Sequence, residues 1–134
     1  MDSTSGWFRQ KKSQVDSRHV YFRKVKLTGD GKRPLVLSEF GGYSFKPEGH
    51  VFNTESTYGY GKYRTREEFA QAVQNLYRNE IVPCVKRGLC AAIYTQVSDV
   101  EDETNGLRTY DRKVEKLKPE EMLPIAEELM KVME

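Results

Sequence analysis

The chain has 134 residues and a formal net charge of +2, with 31% charged and 37% hydrophobic residues. That length suffices for one domain with a sizeable core, and the composition excludes a disordered or membrane-embedded chain. Near-balanced charge gives no electrostatic case for a nucleic-acid partner, and the basic cluster Arg9, Lys11, Lys12 comes without any groove-reading motif.

In chain order, residues 1–16 are polar around the aromatic pair Trp7-Phe8 and read as loop. The start has no apolar leader segment, no apolar run is long enough to span a bilayer, and the expected compartment is the cytoplasm. Val20, Tyr21, Phe22 and Val25 make a β-rich run, predicting a strand over about 19–27. Thr28-Gly29-Asp30-Gly31 is a turn signal. The continuous apolar run Pro34-Leu35-Val36-Leu37 then suits a strand buried on both faces, as in a parallel sheet. It ends at Ser38-Glu39-Phe40-Gly41-Gly42.

Residues 43–64 are rich in aromatics and glycine and read as a long functional loop. Thr65 and Glu68 have the spacing of a capping box, and Phe69, Val73, Leu76 and Tyr77 follow at helical spacing. A helix is expected over about 66–86, kinked by Pro83 and closed by Gly88. A second apolar, β-prone run spans 89–94, then a polar loop to 118. Pro119 opens a last helix with Ile125, Leu129, Val132 and Met133 on one face. Strand–helix alternation of this kind implies parallel βαβ units. A complete (β/α)8 barrel takes about 250 residues, so the chain supplies roughly half of one.

The chemistry-bearing residue is Glu39, at the C-terminal end of a strand, where barrels carry their active sites. On residue type alone, a carboxylate there is more readily read as a capping or pairing group. The acidic stretch Ser98-Asp99-Val100-Glu101-Asp102-Glu103 also follows a strand; it lacks the pattern of an EF-hand and reads first as a solvated turn. Cys84 and Cys90 match neither a zinc nor a redox spacing and read as two buried thiols. His19 and His50 have no partner at ligand spacing, so no metal and no cofactor is expected. Tyr43, Tyr58, Tyr60, Tyr63 and Tyr94 suit either packing or a sugar-stacking surface.

The stretch Pro34-Leu35-Val36-Leu37-Ser38-Glu39-Phe40-Gly41-Gly42-Tyr43-Ser44 resembles barrel strand seven of the family 2 glycoside hydrolases, and residues 91–114 resemble strand eight with its following loop. Segments 2–8 and 17–22 resemble regions near strands five and six. The resemblance implies an α/β fold, the C-terminal portion (about strands five or six to eight) of a (β/α)8 barrel, as a single partial domain. It implies a retaining O-glycosyl hydrolase acting on a β-glycoside, with Glu39 as nucleophile and Trp7, His19, Tyr43, Tyr94, Asp99 and Glu101 around the sugar. Tyr94 stands where many members have Trp. Family β-glucuronidases carry an Asn-x-Lys pair where this chain reads Glu103-Thr104-Asn105, so a neutral sugar, β-galactoside-like, is the expected substrate.

The family's acid/base is the Glu of an Asn-Glu pair ending strand four. Here Asn-Glu occurs only at Asn79-Glu80, within the expected helix, so no acid/base is assigned. The upstream half-barrel and β-sandwich domains of the family have no counterpart in these residues, and the isolated chain is expected to be inactive. The alternative expectation is a non-catalytic carbohydrate-binding or assembly module derived from a half barrel. Exposed barrel edges would allow a homo-oligomer, and neither nucleic acid nor membrane is an expected partner.

Overall fold

The computed structural model describes residues 2, 6–8 and 12–133. Part of the opening loop, with Arg9 and Lys11 of the basic cluster, lies outside the described residues. In chain order come β1 (Asp16–Val20), β2 (Leu35–Gly41), β3 (Tyr43–Phe45), β4 (Tyr60–Tyr63) and α1 (Arg66–Leu76). A π-helical turn (Tyr77–Ile81), α2 (Val82–Val85), β5 (Leu89–Thr95) and α3 (Pro119–Met133) follow. The architecture is mixed α/β. Strands β1, β2 and β5 form a parallel sheet with β2 at its centre, and β3 and β4 form a second parallel pair.

β2 buries Leu35, Leu37 and Phe40 against the helices, whereas Val36, Ser38 and Glu39 stay partly exposed on the other side. The strand is therefore covered on one face, not both as its apolar run suggested. β1 begins earlier than expected and stops at Val20, because Phe22 adopts a positive φ of 60° and turns the chain away. Its polar start is satisfied locally: Asp16 takes a two-point ion pair from Arg18 at 2.8 Å, and its N–H donates to Pro34 O. The turn expected at 28–31 falls slightly later: the chain bends at 31–33, where the Asp30 carboxylate accepts from the Lys32 and Arg33 N–H groups at 2.9 Å.

Residues 43–64 are not structureless, since β3 and β4 bracket them. Lys46 ties their middle together by donating to the carbonyls of Thr54 and Ser56. The Thr65 side chain caps α1 by accepting from Glu68 N–H, and the Glu68 carboxylate returns to Arg64 N–H, one residue earlier than an ideal capping box.

Helical structure runs on to Val85, but its irregularity is not a proline kink. The apolar stripe Phe69, Val73, Leu76 would next place Glu80 inward. Instead it steps five residues to Ile81, and the backbone widens into a π turn that brings Ile81 to the core. Glu80 is released, and its Oε2 accepts from Val25 N–H at 2.5 Å. Gly88, with φ 94°, ends the helical run.

Two apolar clusters result, one under the parallel sheet around Leu37 and Phe40, the other between α1 and Leu117 around Phe69 and Val73. In α3 Ile125 is fully buried, Leu129 and Val132 are half-buried, and Met133, expected on the same face, is exposed. Cys84 is buried but Cys90 is exposed, which corrects the expectation of two buried thiols; both are free. Among the described residues no helix is long and apolar enough to cross a membrane.

Candidate functional site

Glu39 lies at the C-terminal end of the central strand, its side chain 43% exposed. Its neighbour across the sheet is set by an irregularity in β1. The register slips by one residue between Arg18 and His19, so Arg18 faces Leu37 but His19 faces Glu39. His19 Nδ1 stands 3.6 Å from Glu39 Oε2. The imidazole is only 8% exposed, and its Nε2 is buried without a hydrogen-bond partner among the described residues. The Trp7 ring leans over it, 5.7 Å between centroids, and is itself 61% exposed.

The closest contact to the carboxylate comes from Tyr21, a residue that the sequence reading left unassigned. Its hydroxyl is 2.9 Å from Glu39 Oε2 and 2.8 Å from Thr95 Oγ1 at the end of β5. A carboxylate only accepts, so the single phenolic proton goes to Glu39 and the Thr95 hydroxyl donates to Tyr21. Burial, reinforced by the Glu39 charge, raises the Tyr21 pKa well above the ordinary phenol value, which keeps that proton in place. The signal that could have found Tyr21 is its position two residues beyond His19, on the same side of an extended segment.

The backbone around this point is tight. Gly41 has φ 92°, and a Cβ there would overlap the Tyr94 ring. Gly6 packs so closely that a Cβ would lie 2.6 Å from Ser38 Oγ and 2.7 Å from Arg18 C, and its carbonyl accepts from His19 N–H. Segment 6–8, with Trp7, is thereby stitched to the outer edge of β1.

The structure thus brings together Glu39, His19, Trp7 and, unforeseen, Tyr21 and Thr95. Tyr43 lies nearby as a half-buried ring edge-on to Tyr63, its hydroxyl pKa pushed up to about 12 by burial. Tyr94 does not offer an open stacking face. Its ring is wedged between Gly41 and Phe40 (5.7 Å, near-perpendicular), and burial raises its hydroxyl pKa.

Asp99 and Glu101 are not brought to Glu39. Asp99 is buried as the partner of Lys116, Nζ to Oδ1 2.6 Å, and also accepts from Gly106 N–H. Lys116 is wholly buried and donates further to the carbonyls of Phe45 and Thr104. The acidic stretch was read as a solvated turn, and its first carboxylate instead pins the loop to the core. Burial raises the Asp99 pKa and lowers that of Lys116, each opposed by the partner's charge. Glu101 is exposed at a turn with φ 49°. Asn79-Glu80 lies in the π turn, and the Glu80 carboxylate is engaged by Val25.

Among the described residues no group of three or more His, Cys, Asp or Glu is placed to hold a metal ion. No protein-family model matches the chain, and no curated protein matches it in sequence.

Proposed function

We propose that this chain carries the nucleophile of a retaining β-glycosidase, built as the C-terminal portion of a (β/α)8 barrel, with Glu39 as the attacking carboxylate. The supporting observation is the placement of Glu39: at the C-terminal end of the central parallel strand, open to solvent, held by the Tyr21 hydroxyl and flanked by His19. Strands β1, β2 and β5 lie side by side in chain order, as neighbouring barrel strands do.

In this chemistry a Glu39 oxygen attacks the anomeric carbon, the bond to the leaving oxygen breaks, and the resulting glycosyl ester is released by water. The Tyr21 hydrogen bond fixes which oxygen is presented and stabilises the anion before attack. The proton for the leaving oxygen has to come from a second carboxylate about 5–5.5 Å away. The one Asn-Glu pair of the sequence lies in the π turn with its carboxylate engaged by Val25 N–H, so the reading assigns that role to a group outside the described residues. The preferred substrate is a neutral, β-galactoside-like sugar.

The test avoids the need for a general acid. A fluorinated β-galactoside with a dinitrophenyl leaving group departs without protonation and accumulates as the covalent ester. Mass spectrometry of the treated chain should find one sugar adduct on the peptide containing Glu39, and none in Glu39→Gln. An adduct-free wild-type chain would overturn the catalytic reading. A second reading, a carbohydrate-binding or assembly module, is favoured by β5, an edge strand with Cys90, Ala91 and Ile93 exposed. Sugar binding without any adduct would support it.

A further inference from the structure

Beside the Glu39 site runs a cleft of about 530 Å³ whose walls include Tyr21, Phe22, Arg23, Lys24, Gly41 and Tyr60. It shares Tyr21, whose hydroxyl holds Glu39, with the candidate site. Phe22 is 78% exposed despite its size, and it is held out by a left-handed backbone (φ 60°) that a phenylalanine adopts only at a cost. Its ring meets Tyr60 edge-on, and Tyr60 in turn meets Tyr21, so three aromatic rings form one connected wall.

The charges on this wall are unbalanced. Arg23 and Lys24 line the cleft, and both continue with Lys26 into an adjoining groove of about 330 Å³. None of the three takes part in an ion pair among the described residues, whereas neighbouring Arg18 is committed to Asp16. One carboxylate, Glu80, faces the cleft, and its Oε2 is occupied by Val25 N–H. Free cations on a concave wall concentrate anions there more strongly than the same charges on open surface. Aromatic faces beside them suit the apolar faces of sugar rings.

The geometry points to a second subsite, for an acidic sugar unit, in which Phe22 and Tyr60 contact the ring and Arg23 and Lys24 bind its carboxylate or sulfate. The inference rests on the glycosidase reading and deepens it. The unit cleaved at Glu39 is neutral, and the anionic unit lies next to it in the chain, so the substrate class is an acidic oligosaccharide.

The experiment is titration calorimetry of the 134-residue chain with four probes: an oligogalacturonate, a sulfated oligosaccharide, a neutral β-galacto-oligosaccharide and oligo-dT. At least one acidic glycan should bind ten-fold or more tighter than the neutral one, weakening as salt is raised. The double variant Arg23→Ala/Lys24→Ala should lose at least ten-fold of that affinity, and Phe22→Ala several-fold. These side chains are exposed, and circular dichroism checks that the variants stay folded. Equal binding of the neutral glycan, indifference to loss of the two cations, or tighter binding of oligo-dT would each overturn the subsite. Retained binding in a chain that forms no Glu39 adduct would strike at the catalytic reading and leave the subsite standing.

Discussion

Gly41 shows how much of the site depends on a single hydrogen atom. Its φ of 92° is a conformation that L side chains rarely adopt, and Tyr94 occupies the space a Cβ would need. Gly41→Ala therefore incurs both backbone strain and overpacking, about 2–4 kcal/mol in urea unfolding. Gly49→Ala is the natural control. Its φ is 75°, but nothing lies within 4 Å of the added methyl, so only the backbone cost of about 1–2 kcal/mol remains. Equal losses at the two positions would show that Tyr94 is not wedged against Gly41.

At this scale Glu39 was legible, because a carboxylate closing an apolar strand run stands out from its neighbours. Tyr21 was not. Its partner lies 18 residues on, and the pairing depends on a one-residue slip in β1 that no periodicity announces. Asp99 was misjudged for a related reason. An acidic run looks solvated until a buried lysine arrives from Lys116, 17 residues away.

At the scale of elements, the helical run from α1 to α2 was legible through its cap and its apolar spacing. Its π turn was not: the irregularity was expected at Pro83, whereas the step of five from Leu76 to Ile81 is what widens the backbone. That step makes a prediction about length. Deleting exposed Asn79 shortens the step to four, the normal helical repeat, and leaves the apolar stripe in phase at the loss of the Glu80–Val25 contact. Deleting exposed Gln71 instead shifts everything after it by about 100° relative to Phe69. The thermal midpoint of the Asn79 deletion should stay well above that of the Gln71 deletion; the reverse order would mean that the wide turn is required for the fold. The pairing of β3 with β4 was not legible, because each strand is short and its partner lies across a loop whose order comes from Lys46 and Asn53 side chains.

For the whole molecule, the buried Lys116–Asp99 pair joins the acidic loop to β3 and to residues 104–106. Lys116 has no exposure and three acceptors, and Asp99 Oδ2 has no hydrogen-bond partner among the described residues. Removing one charge from such a pair leaves the other stranded in the interior. Lys116→Met should therefore cost about 3–5 kcal/mol, with Lys116→Met/Asp99→Asn recovering part of that loss in chemical denaturation. A double variant no more stable than the single one would show that the two carbonyl contacts, not the ion pair, dominate. The coarse α/β class was legible from strand–helix alternation. This internal polar tie was not, since a lysine in a polar loop gives no sign of being interior.

The central position of β2 also orders the assembly of the site in terms of chain entropy. Bringing Asp16 to Leu35 closes a loop of 19 residues, whereas bringing Leu35 to Leu89 closes one of 54. The first closure is cheaper by roughly 0.9 kcal/mol. His19 and Glu39 are thus set opposite one another by the less costly of the sheet's two pairings, and Thr95, which holds Tyr21 from the far side, joins them through the more costly one.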